Sequence, residues 1–179
     1  CAFFTVSTMP SAPVIFSRKN IRKTQNIKQN IVLLINAGNA NAFTGKQGLI
    51  ACENKAQALS SLFQCDIKNI FFSSTGVIGE QLPHQDIIKH LDLLKNKLSD
   101  TGLEAASNAI LTTDLKSKIY TKKFKIDNKV FTISAIAKGS GMIMPNMATM
   151  LAFIFTDFAI DKKTLSIITK KSIHESFNR

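Results

Sequence analysis

The chain has 179 residues, 45% of them hydrophobic and 20% charged, with 8 glycines and 4 prolines; at about 150 residues per domain this is one domain or slightly more, and collagen-like, low-complexity and largely disordered chains are excluded. Lys and Arg number 23 against 12 Asp and Glu, a formal charge of +11. The basic residues are dispersed among Ile and Asn, and their densest runs, residues 18–28 and 116–129, lack aromatics interleaved as a stacking platform, so no nucleic-acid partner is expected.

Residues 1–17 alternate apolar and small side chains around Pro10 and Pro13. They read as irregular extended chain or an edge strand. Residues 18–30 are polar and basic, a loop or a short helix. Residues 31–35 form a short β-branched and leucine run, the pattern of a buried strand. It empties into Asn36-Ala-Gly-Asn-Ala-Asn41 and Thr44-Gly45, a density of Asn and Gly that suits positive φ or exposed backbone. Ala51, Ala58, Leu59 and Leu62 give residues 49–65 helical spacing. A second short strand, residues 70–72, runs into Ser73-Ser-Thr-Gly76. Pro83 suits the first turn of a helix whose apolar stripe is Ile87, Ile88, Leu91, Leu94 and Leu98, with Gly102 as its stop. Residues 105–111 are short and apolar and precede Thr112-Thr-Asp114. Residues 120–126 and 130–137 alternate around Asp127-Asn128, a hairpin. Residues 151–156 read as a strand, and residues 162–177 as a helix with Leu165, Ile168 and Ile173 inward. Strands and helices mix throughout, so the fold class is α/β or α+β.

Hydrophilic turns follow apolar strands after Ile35, Phe72 and Ala137, and converging strand ends are a common way to build a site. The sequence has no GxGxxG, P-loop or HExxH. His84, His90 and His174 have no partners at ligand spacing and read as surface or cap residues, so no metal is expected. Cys1, Cys52 and Cys65 show neither metal nor disulfide-framework spacing. Their odd number, without a signal peptide, points to a reducing cytosol. No apolar run approaches the roughly 18 residues of a spanning helix, so no membrane partner is expected. Residue 1 is Cys rather than Met, which reads as a fragment of a longer chain.

The unusual segment is Lys138-Gly-Ser-Gly-Met-Ile-Met-Pro-Asn-Met-Ala-Thr149, which places a Thr at the start of a strand. A hydroxyl is a poor nucleophile until a base takes its proton. Cutting the chain before the residue frees its own α-amine for that task, and an α-amine with a pKa near 8 is partly neutral at physiological pH. A Thr opening a strand is also simply a good β-former.

Taken in order, Asn36-Ala-Gly-Asn-Ala-Asn41, Thr44-Gly45, Ser74-Thr-Gly-Val-Ile-Gly79 with Leu82-Pro83, Leu111-Thr-Thr-Asp114, Lys138-Gly-Ser-Gly-Met-Ile143, Pro145-Asn-Met-Ala-Thr-Met-Leu-Ala-Phe-Ile154 and Thr156-Asp157 closely resemble the glutamate N-acetyltransferase (ornithine acetyltransferase) family of arginine biosynthesis. The resemblance spans essentially the whole chain. It implies a layered α/β/β/α-type sandwich like that of self-cleaving N-terminal-nucleophile enzymes, and cleavage between Ala148 and Thr149. Residues 1–148 then form the α-subunit portion and residues 149–179 the start of the β-subunit portion, packed into the same domain. By motif match Thr149 is the acyl-accepting nucleophile, and Thr75 with Gly76 the oxyanion pair. Thr112, beside Thr113, and Lys138 are substrate-binding. The implied activity moves an acetyl group from N-acetylornithine to glutamate through an acetyl-Thr, without a bound cofactor, and with acetyl-CoA as a second donor in some members. An α2β2 assembly in the cytoplasm is implied as well. The family's precursor is about twice this length against the usual domain size, and its acidic substrate ligand and C-terminal ligands lie beyond Arg179. Two other readings are kept: an amidohydrolase or aminopeptidase of the related fold, with water as acceptor, and a basic binding module without catalysis.

Overall fold

The computed structural model describes residues 1–4, 7–23, 30–141 and 150–178. The chain divides into two compact units, residues 7–102 and residues 1–6 with 103–179.

The unit 7–102 begins with helix α1 (Ala12–Lys23), which takes up residues 12–17, where extended chain was expected, and continues into 18–23, where a loop or a short helix was expected. The apolar–small alternation hid a helical stripe: Ala12, Pro13, Phe16, Ser17 and Asn20 are buried, at spacings of three and four. Pro13 is accommodated because it stands in the first turn, where its missing N–H has no intrahelical partner to lose. Strand β1 (Val32–Asn39) and strand β2 (Ile70–Val77) pair in parallel, with Val32 opposite Ile70 and Gly38 opposite Gly76. Both strands run several residues beyond their apolar cores, into the Asn- and Gly-rich motifs.

Helix α2 (Gly45–Phe63) supplies Ala51, Cys52, Ala56 and Leu59 to the core. A fully buried side chain of the size of Leu59 contributes about 1.5–3 kcal/mol. Helix α1 is fixed to β2 by specific bonds. Ser17 Oγ donates to Phe72 O (3.0 Å) and accepts from Phe72 N–H (2.9 Å), and the Phe16 and Phe72 rings lie 5.1 Å apart. Asn20 Nδ2 donates to Ile67 O and Ile70 O, both at 2.8 Å.

The single helix expected after Pro83 is instead two, α3 (His84–Lys89) and α4 (Leu91–Asn96). His90 lies between them at φ −99°, ψ 2°, with its Nδ1 bonded to Asp86 O at 2.7 Å. Gly102 therefore does not end that helix; it immediately precedes helix α5 (Leu103–Ala109).

In the second unit, β3 (Lys118–Ile126), β4 (Lys129–Lys138) and β5 (Leu151–Thr156) form an antiparallel sheet in the order β3-β4-β5. The β3–β4 turn is Asp127-Asn128, at φ 46° and 64°, the two positive φ values that a tight hairpin requires. Helix α6 (Lys162–Glu175) is capped by Asp161, whose side chain accepts from the N–H groups of Lys163 and Thr164. Leu165 and Ile173 are half-buried, but Ile168, expected inward, is 52% exposed. The fold is α+β. Among the described residues no helix is long and apolar enough to cross a membrane, and no group of three or more His, Cys, Asp or Glu could hold a metal ion.

Candidate functional site

Parallel pairing of β1 and β2 brings two recognised motifs side by side at the strand ends: Asn36 faces Ser74, Ala37 faces Thr75 and Gly38 faces Gly76. Thr75 is buried, at 6% exposure, whereas Gly76 is exposed. Gly76 has φ +130°, and a Cβ there would lie 2.5 Å from Gly38 O and 2.6 Å from Asn39 N. Only glycine combines that φ with so close a backbone. The Thr75–Gly76 peptide is thus held by the neighbouring strand rather than left as a free turn.

The Asn residues of the first motif work as scaffold. Ser74 Oγ donates to Asn36 Oδ1 (2.6 Å), and Asn36 Nδ2 donates to Asn39 O (2.8 Å). Asn39 Oδ1 accepts from Asn41 N–H at 2.7 Å. Asn41 is completely buried at φ 46°; it takes a bond from Thr44 Oγ1 (2.8 Å) and gives one to Gly48 O (3.1 Å). Asn tolerates this left-handed backbone because its short amide bonds locally.

The second unit holds the other two expected substrate residues, and it brings them together. Lys138, the last residue of β4, is 3% exposed, and its Nζ donates to Thr112 Oγ1 at 2.7 Å. Of the two adjacent threonines, Thr112 is the one that meets the lysine. Asp114, two residues on, has a fully buried side chain. Its Oδ1 accepts from Gly139 N–H (2.8 Å) and from Lys118 Nζ. Burial alone would push this carboxyl up; the bonds from Lys118 and Gly139 and the charges of Lys118 and Lys138 outweigh burial and hold it below the usual carboxylate range. Neither Asp114 nor Lys118 was assigned a task from sequence, although Asp114 stands inside a quoted motif and Lys118 follows it by four. Ala148 and Thr149 lie outside the described residues, so the separation of Thr149 from Thr75 is not part of this geometry.

The family model "ArgJ family" matches residues 1–179. The chain belongs to the ArgJ family. The "Arginine biosynthesis bifunctional protein ArgJ" of Gluconobacter oxydans is 40% identical over 175 residues, 98% of this chain and 40% of the relative. That of Pseudomonas fluorescens is 41% identical over 178 residues, 98% of this chain and 42% of the relative. Among solved structures, the ArgJ protein of Bacillus halodurans has a TM-score of 0.70 at 32% identity, covering 83% of this chain and 76% of that one. The ornithine acetyltransferase of Mycobacterium tuberculosis, complexed with ornithine, has a TM-score of 0.62 at 26% identity, covering 80% and 75%. The chain therefore spans about two-fifths of the length of the curated ArgJ relatives it matches. Family membership thus rests on this region and not on the whole protein.

Proposed function

We propose that the ArgJ protein to which this region belongs is a glutamate N-acetyltransferase that moves an acetyl group from N-acetylornithine to glutamate through an ester on Thr149, after self-cleavage of the Ala148–Thr149 bond. The contact that carries the reading is Lys138 to Thr112: two residues 26 apart in sequence, both expected to bind substrate, share a hydrogen bond in which the lysine is buried and the threonine stays exposed. A hydroxyl and an ammonium side by side suit a carboxylate, which takes charge-assisted bonds from both. The names of the relatives, arginine biosynthesis proteins and an ornithine acetyltransferase, agree with that class of substrate.

In the proposed reaction the Thr149 hydroxyl adds to the acetyl carbonyl, and the Thr149 α-amine, freed by cleavage, takes the hydroxyl proton. The Thr75 hydroxyl and the Gly76 N–H stabilise the resulting oxyanion. Each such donor is worth a few kcal/mol when it is fixed in advance, and the backbone packing around Gly76 supplies that fixity. Collapse of the intermediate returns the proton to the leaving amine, releases ornithine and leaves acetyl-Thr149. Glutamate then attacks the ester, and the same steps run in reverse. No step calls on a metal or a bound cofactor. Acetyl-CoA can serve in the first half-reaction as an alternative donor. Cleavage splits the protein into the portion ending at Ala148 and the portion starting at Thr149. An α2β2 assembly in the cytoplasm completes the proposal.

The test is the full-length protein with acetyl-labelled N-acetylornithine. Label should reach glutamate, and intact mass should show an acetyl group on the chain that begins at Thr149. Thr149→Ala should abolish both cleavage and transfer, and Thr149→Ser should keep part of each. Release of label as free acetate with no transfer to glutamate would replace this function with hydrolysis.

A further inference from the structure

The proposed reaction leaves the buried carboxylate of Asp114 without a task. Asp114 lies two residues after Thr112, and its side chain has no exposure. Its surroundings show what it does. Lys138 is almost fully buried, and a buried ammonium keeps one position only where acceptors and negative charge hold it. The acceptor is Thr112, a neutral hydroxyl. The negative charge is Asp114, whose Oδ1 takes the N–H of Gly139, the residue after Lys138, while its ion pair is with Lys118 and not with Lys138.

The carboxylate is instead occupied on one oxygen. Oδ1 takes the Gly139 N–H and the Lys118 ammonium, while Oδ2 is buried without a hydrogen-bond partner among the described residues. Lys118 opens β3 and is in register with Ala137 of β4, so these bonds tie the start of one strand to the end of the next. The Gly139 N–H belongs to the peptide that follows Lys138. Holding it fixes the direction in which the Lys138 side chain leaves the strand. The short segment 112–114 thus grips the end of β4 at two points, the Lys138 side chain through Thr112 and the backbone beside it through Asp114.

We propose that Asp114 is a positioning residue for carboxylate recognition by Lys138, and that Lys118 holds Asp114 away from direct pairing so that the Lys138 ammonium stays available to a substrate carboxylate. The proposal rests on the reading above, in which Lys138 and Thr112 bind the substrate. It deepens that reading by assigning the specificity for an α-carboxylate to a four-residue device, Thr112, Asp114, Lys118 and Lys138.

The decisive experiment compares N-acetylornithine with its decarboxylated analogue, N-acetyl-1,4-diaminobutane, on the full-length protein. Asp114→Asn keeps an acceptor for Gly139 N–H and removes the charge. KM for N-acetylornithine should rise about tenfold, the scale of one lost charge-assisted contact, with kcat little changed and KM for the analogue unmoved. Lys118→Met, at a side chain that is 50% exposed, leaves folding intact and frees Asp114 to pair with Lys138, so KM for N-acetylornithine should again rise selectively. Equal effects on both substrates, or an unchanged KM in either variant, would overturn the proposal. Hydrogen exchange across residues 136–141 reads the anchor without activity: protection at Gly139 should be lost in Asp114→Ala and kept in Asp114→Asn. A wild-type protein that transfers no acetyl group would remove the function proposed above, whereas retained protection in Asp114→Ala would remove this inference alone.

Discussion

Replacing Gly76 by Ala drives a methyl carbon into the backbone of the neighbouring strand. The new Cβ would sit 2.5 Å from Gly38 O and 2.6 Å from Asn39 N, and φ is +130°. A residue with a side chain in a glycine conformation costs about 1–3 kcal/mol, and forcing an atom into packed surroundings adds about 1–3 kcal/mol. The sum, about 2–6 kcal/mol, is a large part of the roughly 5–15 kcal/mol that holds a domain together. The β1–β2 pairing must open at Gly38, which also turns the Gly76 N–H out of line; a misaligned oxyanion donor lowers kcat about 10²-fold or more. The close approach of Gly38 means that stability falls as well. Gly102→Ala is the control: its φ lies outside the glycine region and its nearest foreign atom is Ser99 O at 3.2 Å, so the change stays within about 1 kcal/mol. Urea denaturation and steady-state kinetics of both full-length variants measure this. A Gly76→Ala protein with a wild-type midpoint and wild-type kcat would refute both the packing argument and the oxyanion role.

Lys138→Ala should lower kcat/KM for N-acetylornithine at least tenfold, because it removes the partner of Thr112 and a charge-assisted donor; an unchanged value in steady-state kinetics would mark it as a structural lysine. Lys55 is 1% exposed, lies 4.5 Å from the Phe72 ring centroid and has its pKa lowered by burial. Lys55→Met should therefore raise stability by about 1–2 kcal/mol in a thermal melt. The unfolded Lys55 binds more protons between the lowered pKa and 10.5, so its own contribution to stability should rise with pH across that window, against the fall from the neighbouring Cys52, whose thiol burial pushes up to about 11, and the variant should lose the rising component. Asn41→Ala should cost about 2–4 kcal/mol through lost buried bonds and an unsuitable φ, measured as a denaturation midpoint. The pKa of Asp114 is lowered, so its contribution is complete above about pH 4 and disappears as pH falls through the folded value; Asp114→Asn should flatten that acid limb of the stability curve.

Element type was readable wherever local pattern and tertiary packing agreed. The strand at 151–156 and the Asp127-Asn128 hairpin follow from alternation and turn chemistry within a few residues. Helix α1 was not readable that way, because what makes it a helix is contact with β2: Phe16 on Phe72, Ser17 on the Phe72 backbone and Asn20 on two carbonyls. Pro10, Pro13 and the β-branched Val14 and Ile15 argue locally against it. The break at His90 was hidden for the opposite reason, since Ile87, Leu91 and Leu94 keep helical spacing across it. Lys138 and Thr112 could be named from motifs, but their bond could not, because it depends on where β4 ends relative to a loop 26 residues earlier.

Asn36, Asn39 and Asn41 recur so conspicuously that they invite a ligand-binding role, yet the described bonds engage them inside the protein, on Ser74, on the loop backbone and on Thr44. They build the floor against which Gly76 rests. Thr75, to which the proposed reaction gives the oxyanion, sits on the adjacent strand, one position along from the Ser74 that Asn36 holds. Parallel register is what couples the two: a slip of one residue would face Gly76 with a residue carrying a Cβ and reverse the side of the sheet on which Thr75 stands. The asparagine motif therefore sets the register of the Thr75–Gly76 strand, and under the proposed function its loss should appear first as a strand-pairing defect and then as a slow enzyme.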